Sequence, residues 1–87
     1  MPKYQIVFTK SAAREIGSLD APVVRRIWDR IETLALDPRP PGSKKLKGVI
    51  QPLWRIRVGD YRVIYEIHDR TITVEIIRIG HRREVYE

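Results

Sequence analysis

"WRIRVGDYRVIYEI", residues 54–67, decides the fold of this chain. Trp54, Ile56 and Val58 alternate with Arg55 and Arg57, and Gly59-Asp60 then supplies a two-residue hairpin turn. Beyond it Tyr61, Val63, Tyr65 and Ile67 alternate with Arg62, Ile64 and Glu66. A period of two on both sides of a tight turn predicts two antiparallel strands, each with one apolar and one wet face. An unpaired charge is costly to bury, so the three arginines are expected to point outward into water.

Downstream, "HDR" (68–70) reads as a second turn and "TITVEIIRI" (71–79) as a long third strand. Gly80 is expected to break that strand, leaving "HRREVYE" (81–87) as a short edge strand. Upstream, "DPRPPGSKKLKG" (37–48) reads as a loop, because prolines cannot continue a helix. Its Lys44, Lys45 and Lys47 make a local positive cluster, and Leu46 is its natural anchor. Before the loop, Val24, Ile27, Trp28, Ile31, Leu34 and Ala35 recur at helical spacing and form one apolar stripe. Arg25, Arg26, Asp29, Arg30 and Glu32 fall mostly on the other side. Asp20 is a cap for this helix, and Pro22 is tolerated in its first turn. "SAAREIGSL" (11–19) predicts a shorter helix, capped by Thr9 or Ser11 and ending near Gly17. "YQIVF" (4–8) predicts a first strand. The fold class is therefore α+β: an N-terminal strand, an antiparallel two-helix hairpin, then a mostly antiparallel sheet of three to four strands with the helices on one face.

At 87 residues, the expectation is one domain, 1–87. The absence of cysteine excludes disulfides, thiol catalysis and cysteine-ligated metals. No apolar run approaches membrane-spanning length and the first residues are too polar for a secretory signal. A soluble, cytoplasmic protein with no membrane partner is expected. Lysine and arginine outnumber acids 17 to 11, a net charge of +6 that favours a polyanionic partner such as RNA or DNA. An ordinary solvated surface is the alternative, so position has to decide.

Arg55 and Arg57 share a strand face, and Arg62 lies just across the turn. Cross-strand side chains are about 5 Å apart, so these like charges crowd one another unless an anion sits among them. Guanidinium forks hold phosphate oxygens in pairs, which makes a phosphate the fitting anion. Pairing with Asp60, Glu66 and Glu75 is the competing reading. His81, Arg82 and Tyr86, bunched in "GHRREVYE", are further groups able to bind a phosphate or move a proton. His68, in the expected turn beside Asp69, is given no role. The two histidines lack acidic partners at ligand spacing, so neither a metal nor any other cofactor is expected.

The order "KLKG", "WRIRVGDYRVIYEI", "IGHRREVY" closely resembles the RelE side of the RelE/ParE toxin family of toxin–antitoxin systems, over nearly the whole chain. The resemblance implies a microbial-ribonuclease-like α+β fold. It also implies an activity that cuts messenger RNA in the ribosomal decoding site, restrained by a RelB-like antitoxin. The family's basic strand positions match Arg55 and Arg57, its next-strand arginine Arg62, its late arginine Arg82 and its terminal tyrosine Tyr86. Some members carry lysine where this chain has Arg55 and Arg57. Arginine keeps the phosphate contact but cannot give up a proton, so acid–base work passes to other groups.

On that footing Arg55, Arg57, Arg62 and Arg82 supply positive charge to the phosphorane, and Tyr86 orients or deprotonates the 2′-hydroxyl. His81 is the candidate acid, or else a second phosphate contact. Lys44, Lys45, Lys47 and the helix arginines 25, 26 and 30 are expected to meet ribosomal RNA. The antitoxin is expected to cover the apolar edge beside the helical hairpin. Two other readings share the fold: a ParE-like poison of DNA gyrase, and an inactive member that only binds its antitoxin.

Overall fold

Seven elements follow in the order β1 (Gln5–Phe8), α1 (Lys10–Gly17), α2 (Ala21–Leu36), β2 (Lys44–Lys45), β3 (Leu53–Val58), β4 (Tyr61–His68) and β5 (Thr73–His81). The computed structural model describes residues 3–48 and 50–81. α1 starts where its cap directs, whereas Asp20 at the start of α2 makes no side-chain cap hydrogen bond. The Thr9 hydroxyl accepts from the Ala12 amide and donates to the Ile77 carbonyl, so one side chain begins α1 and ties it to β5. Asp20 occupies the cap position of α2, with Pro22 in the first turn.

The sheet has five strands in the order β1-β5-β4-β3-β2. β3, β4 and β5 form an antiparallel meander, and β1 joins β5 in parallel, Gln5 to Phe8 against Thr73 to Ile76. That parallel pairing follows from the two helices, which carry the chain from β1 back across the sheet. Three expectations are corrected. The loop over 37–48 contains the two-residue strand β2, which pairs with Arg55 and Trp54. β4 runs on to His68, so the second turn occupies 69–72 rather than 68–70. Gly80 does not end β5, which continues to His81 opposite Tyr61. The expected edge strand over 81–87 lies, beyond His81, outside the described residues.

Ile27, Ile31, Leu34 and Ala12 from the helices meet Ile56, Val63, Tyr65, Val74 and Ile76 from the strands in one closed core. Trp28 departs from the expected stripe: it is 40% exposed and leans on Phe8 at 5.2 Å between ring centroids. Tyr65 is fully buried and donates its hydroxyl to the Pro38 carbonyl at 2.7 Å, and burial pushes its pKa up to about 12. The loop after α2 is pinned again outside the core. Arg39 pairs with Asp69 at 2.9 Å and lies over the Trp54 ring, while Tyr4 donates to the same carboxylate. Hydrogen bonds from Arg39 and then Tyr4 hold the Asp69 carboxyl below the usual range.

One irregularity shapes the other side of the sheet. Ile64 pairs with Arg78 but Tyr65 pairs with Ile76, so Ile77 is an extra residue in β5. Glu15 of α1 takes up the region beyond this bulge, accepting from the Ile79 amide at 2.8 Å and from Arg78 Nε at 2.9 Å.

Candidate phosphate-binding face

Alternation along β3 and β4 sends Arg55, Arg57, Arg62, Ile64 and Glu66 to the face away from the helices. Arg57 and Arg62 are directly opposite each other, and Arg55 is the next residue on that face of β3, opposite Ile64. The three arginines therefore share one floor. They differ in exposure: Arg57 is open to water, Arg62 is half-buried, and Arg55 is only 5% exposed. The expectation that all three project into water is corrected at Arg55. Its strand is flanked by β2, with Lys44 opposite it, and Leu46, Leu53, Ile64 and Ile77 form a small apolar cluster on the same face. Arg55 thus belongs to the floor itself.

Charge is sorted along this face. Arg57 and Arg62 occupy the end near the Gly59-Asp60 turn, Arg55 and Arg78 flank Ile64 at the apolar middle, and Glu66 and Glu75 stand at the far end. Glu66 is four residues from Arg62, about 13 Å along β4. Its side chain and that of Glu75 meet His68, at 3.5 Å and 3.2 Å.

Beside the arginine end, α2 contributes Arg26 and Arg30. Arg30 donates to the Arg57 carbonyl at 3.2 Å, and with Arg26, Asp29, Val58 and Gly59 it lines a hollow of about 320 Å³. Gly59 has φ +61 there, which suits glycine in the hairpin turn. Arg25 lies elsewhere, in a shallow groove of about 650 Å³ with Ile16, Leu19, Val24 and Trp28. The helix arginines 25, 26 and 30 thus do not form one patch, because residues one apart on a helix point in different directions.

A model of the ParE toxin of type II toxin–antitoxin systems, parDE, matches residues 6–86. The chain belongs to this toxin family. Toxin RelG of Mycobacterium tuberculosis is 30% identical over 84 residues, 95% of each chain, and Toxin RelE of the same organism is 31% identical over 83 residues, 95% of this chain and 86% of that one. Among solved structures, the RelBE2 toxin–antitoxin complex of M. tuberculosis superposes with a TM-score of 0.84 at 28% identity, covering 97% of each chain. The archaeal RelE–RelB complex of Pyrococcus horikoshii gives 0.80 at 28% identity, covering 95% of this chain and 99% of that one. The protein is a RelE-like toxin of a type II toxin–antitoxin system.

Within this RelE-like toxin the remaining expected site residues that lie among the described residues are dispersed. His81 falls opposite Tyr61 and packs edge-on against its ring at 5.6 Å, on the helix side of the strand end. Gly80, not His81, stands across from Arg62 on the open face. His81 is thus a rim residue, an outcome of β5 running on through Gly80. Lys44 shares the floor with Arg55, whereas Lys45 is paired with Trp54 and turns to the other side. Lys47 is exposed after β2. Arg82 and Tyr86 lie outside the described residues.

The His68 grouping is the feature that sequence reading missed. Glu66 and Glu75 become neighbours only once the turn is placed at 69–72. Among the described residues no helix is long and apolar enough to cross a membrane.

Proposed function

We propose that this toxin is a ribosome-dependent endoribonuclease that cuts messenger RNA in the decoding site. One observation carries the reading: Arg57 and Arg62 stand directly opposite each other beside Arg55 on the face of the sheet away from the helices. Guanidinium groups brought together in this way can hold the oxygens of a phosphodiester in pairs. RNA brings its own nucleophile. Attack of the 2′-oxygen on the adjacent phosphorus forms a cyclic phosphate and releases the 5′-oxygen, which takes up a proton. Arg55, Arg57 and Arg62 stabilise the charge that develops, with Arg82 joining them. Tyr86 orients or deprotonates the 2′-hydroxyl, and His81 at the rim is the proton donor to the leaving oxygen. The chemistry needs no metal. A floor of fixed cations without a strong base is a weak catalyst alone, and the ribosome completes it by holding the message in a reactive shape.

Partners follow from the remaining surfaces. The neighbours solved as RelE–RelB complexes support a cognate antitoxin, for which the groove of Ile16, Leu19, Val24 and Trp28 on the helical hairpin is the fitting apolar seat. Arg26 and Arg30, with Lys44 and Lys47, are placed to meet ribosomal RNA, so ribosome affinity falls steeply with added salt. The toxin acts in the cytoplasm, where ribosomes are.

The ParE description of the matching family favours one competitor, a protein that poisons DNA gyrase. Assaying cleavage of message on programmed ribosomes beside gyrase supercoiling separates the two. Cleavage with unchanged supercoiling supports the ribonuclease; inhibited supercoiling with intact message replaces it.

A further inference from the structure

Far from the arginines, three side chains converge across the β4–β5 hairpin. Glu66 and Glu75 are directly opposed in the register, and His68 lies two residues further along the same face. Its Nε2 is 3.2 Å from Glu75 Oε1 and 3.5 Å from Glu66 Oε2, and one ligand atom from each residue lies within 4.8 Å of the others. Opposed carboxylates destabilise a sheet unless a cation lies between them. The ion pairs these glutamates make among the described residues both go to His68. His68 turns Nε2 toward both carboxylates, and an imidazole nitrogen is also a metal ligand.

Two of the three separations fit a coordination shell. Metal–ligand bonds of about 2.0 to 2.1 Å in a tetrahedral site put neighbouring ligand atoms about 3.4 Å apart. The two observed separations from Nε2 lie on either side of that value. We propose that Glu66, His68 and Glu75 form a binding site for Zn²⁺ or a similar divalent transition-metal ion, with water in the open position. The imidazole selects this class over magnesium or calcium, which prefer all-oxygen shells. Side-chain exposures of 37% for His68, 21% for Glu66 and 35% for Glu75 leave the ion a way in.

The site is structural, and it stands whatever the toxin's target proves to be. It staples the end of a hairpin whose turn holds Ile72 at φ 49, a costly conformation for a β-branched residue. The Ile72 carbonyl accepts from the Gln5 amide at 2.9 Å, so fixing this turn also fixes the start of β1.

Calorimetric titration of the full-length toxin with ZnCl₂, repeated with His68→Ala and Glu75→Gln, tests the site. Thermal melts with and without ZnCl₂ accompany each titration. The expected result is one ion per chain, a melting temperature raised by zinc, and affinity at least about tenfold weaker in each variant. Glu75→Gln preserves the side-chain shape, so it carries the test if His68→Ala folds poorly. No saturable binding by the wild-type chain, or zinc bound equally tightly by Glu75→Gln, overturns the proposal.

Discussion

The two faces of one sheet teach different things about this toxin. On the helix-covered face, Ile56, Val63, Tyr65, Val74 and Ile76 are closed against α1 and α2 with no charge among them. On the open face the same strands carry charge sorted by sign: Arg57 and Arg62 at one end, a small apolar cluster flanked by Arg55 and Arg78 in the middle and the His68 grouping at the other. Strand alternation makes the two faces inseparable in sequence and independent in chemistry. The covered face supplies stability.

Breaking the covered face should have the largest effect. Ile56→Ala removes a fully buried side chain and should cost about 2 to 5 kcal/mol in urea unfolding, enough to unfold much of a domain this small. Tyr65→Phe is gentler and should cost about 1 to 2 kcal/mol, by leaving the Pro38 carbonyl without its donor. It also sharpens the comparison through pH. The folded-state pKa of Tyr65 lies above its unfolded value, so its contribution is whole below about pH 10 and is lost as pH rises toward 12. The wild-type chain should lose stability over that interval more steeply than Tyr65→Phe, by up to about 2 kcal/mol at the upper end.

Substitutions on the open face should leave stability nearly level. Arg57→Gln removes an exposed charge opposite Arg62 and should move stability by no more than about 0.5 kcal/mol. Smallest of all should be Asp69→Asn, since its pair with Arg39 is exposed to water on both sides and screened there. Urea midpoints measured on one preparation series rank all four.

Local signals made much of this legible before any coordinates. The helix caps at Thr9 and Asp20, the proline break after α2 and the Gly59-Asp60 hairpin all depend on neighbours in sequence. What escaped notice depends on distant segments. The burial of Arg55 arises because β2, too short to carry a period, flanks it and brings Leu46 onto the same face. The Glu66–His68–Glu75 grouping arises from a turn placed one residue later than its sequence suggests, and a one-residue slip moves a side chain to the other face. His81 stands on the helix side because β5 continues through Gly80, which pairs with Arg62.

Single-turnover cleavage of message on programmed ribosomes by Arg57→Gln, with its urea midpoint measured in parallel, tests the arginine floor most directly. A phosphodiester held between Arg57 and Arg62 requires cleavage to slow by about tenfold or more while the midpoint stays level or rises. Wild-type cleavage by a fully folded Arg57→Gln would contradict it.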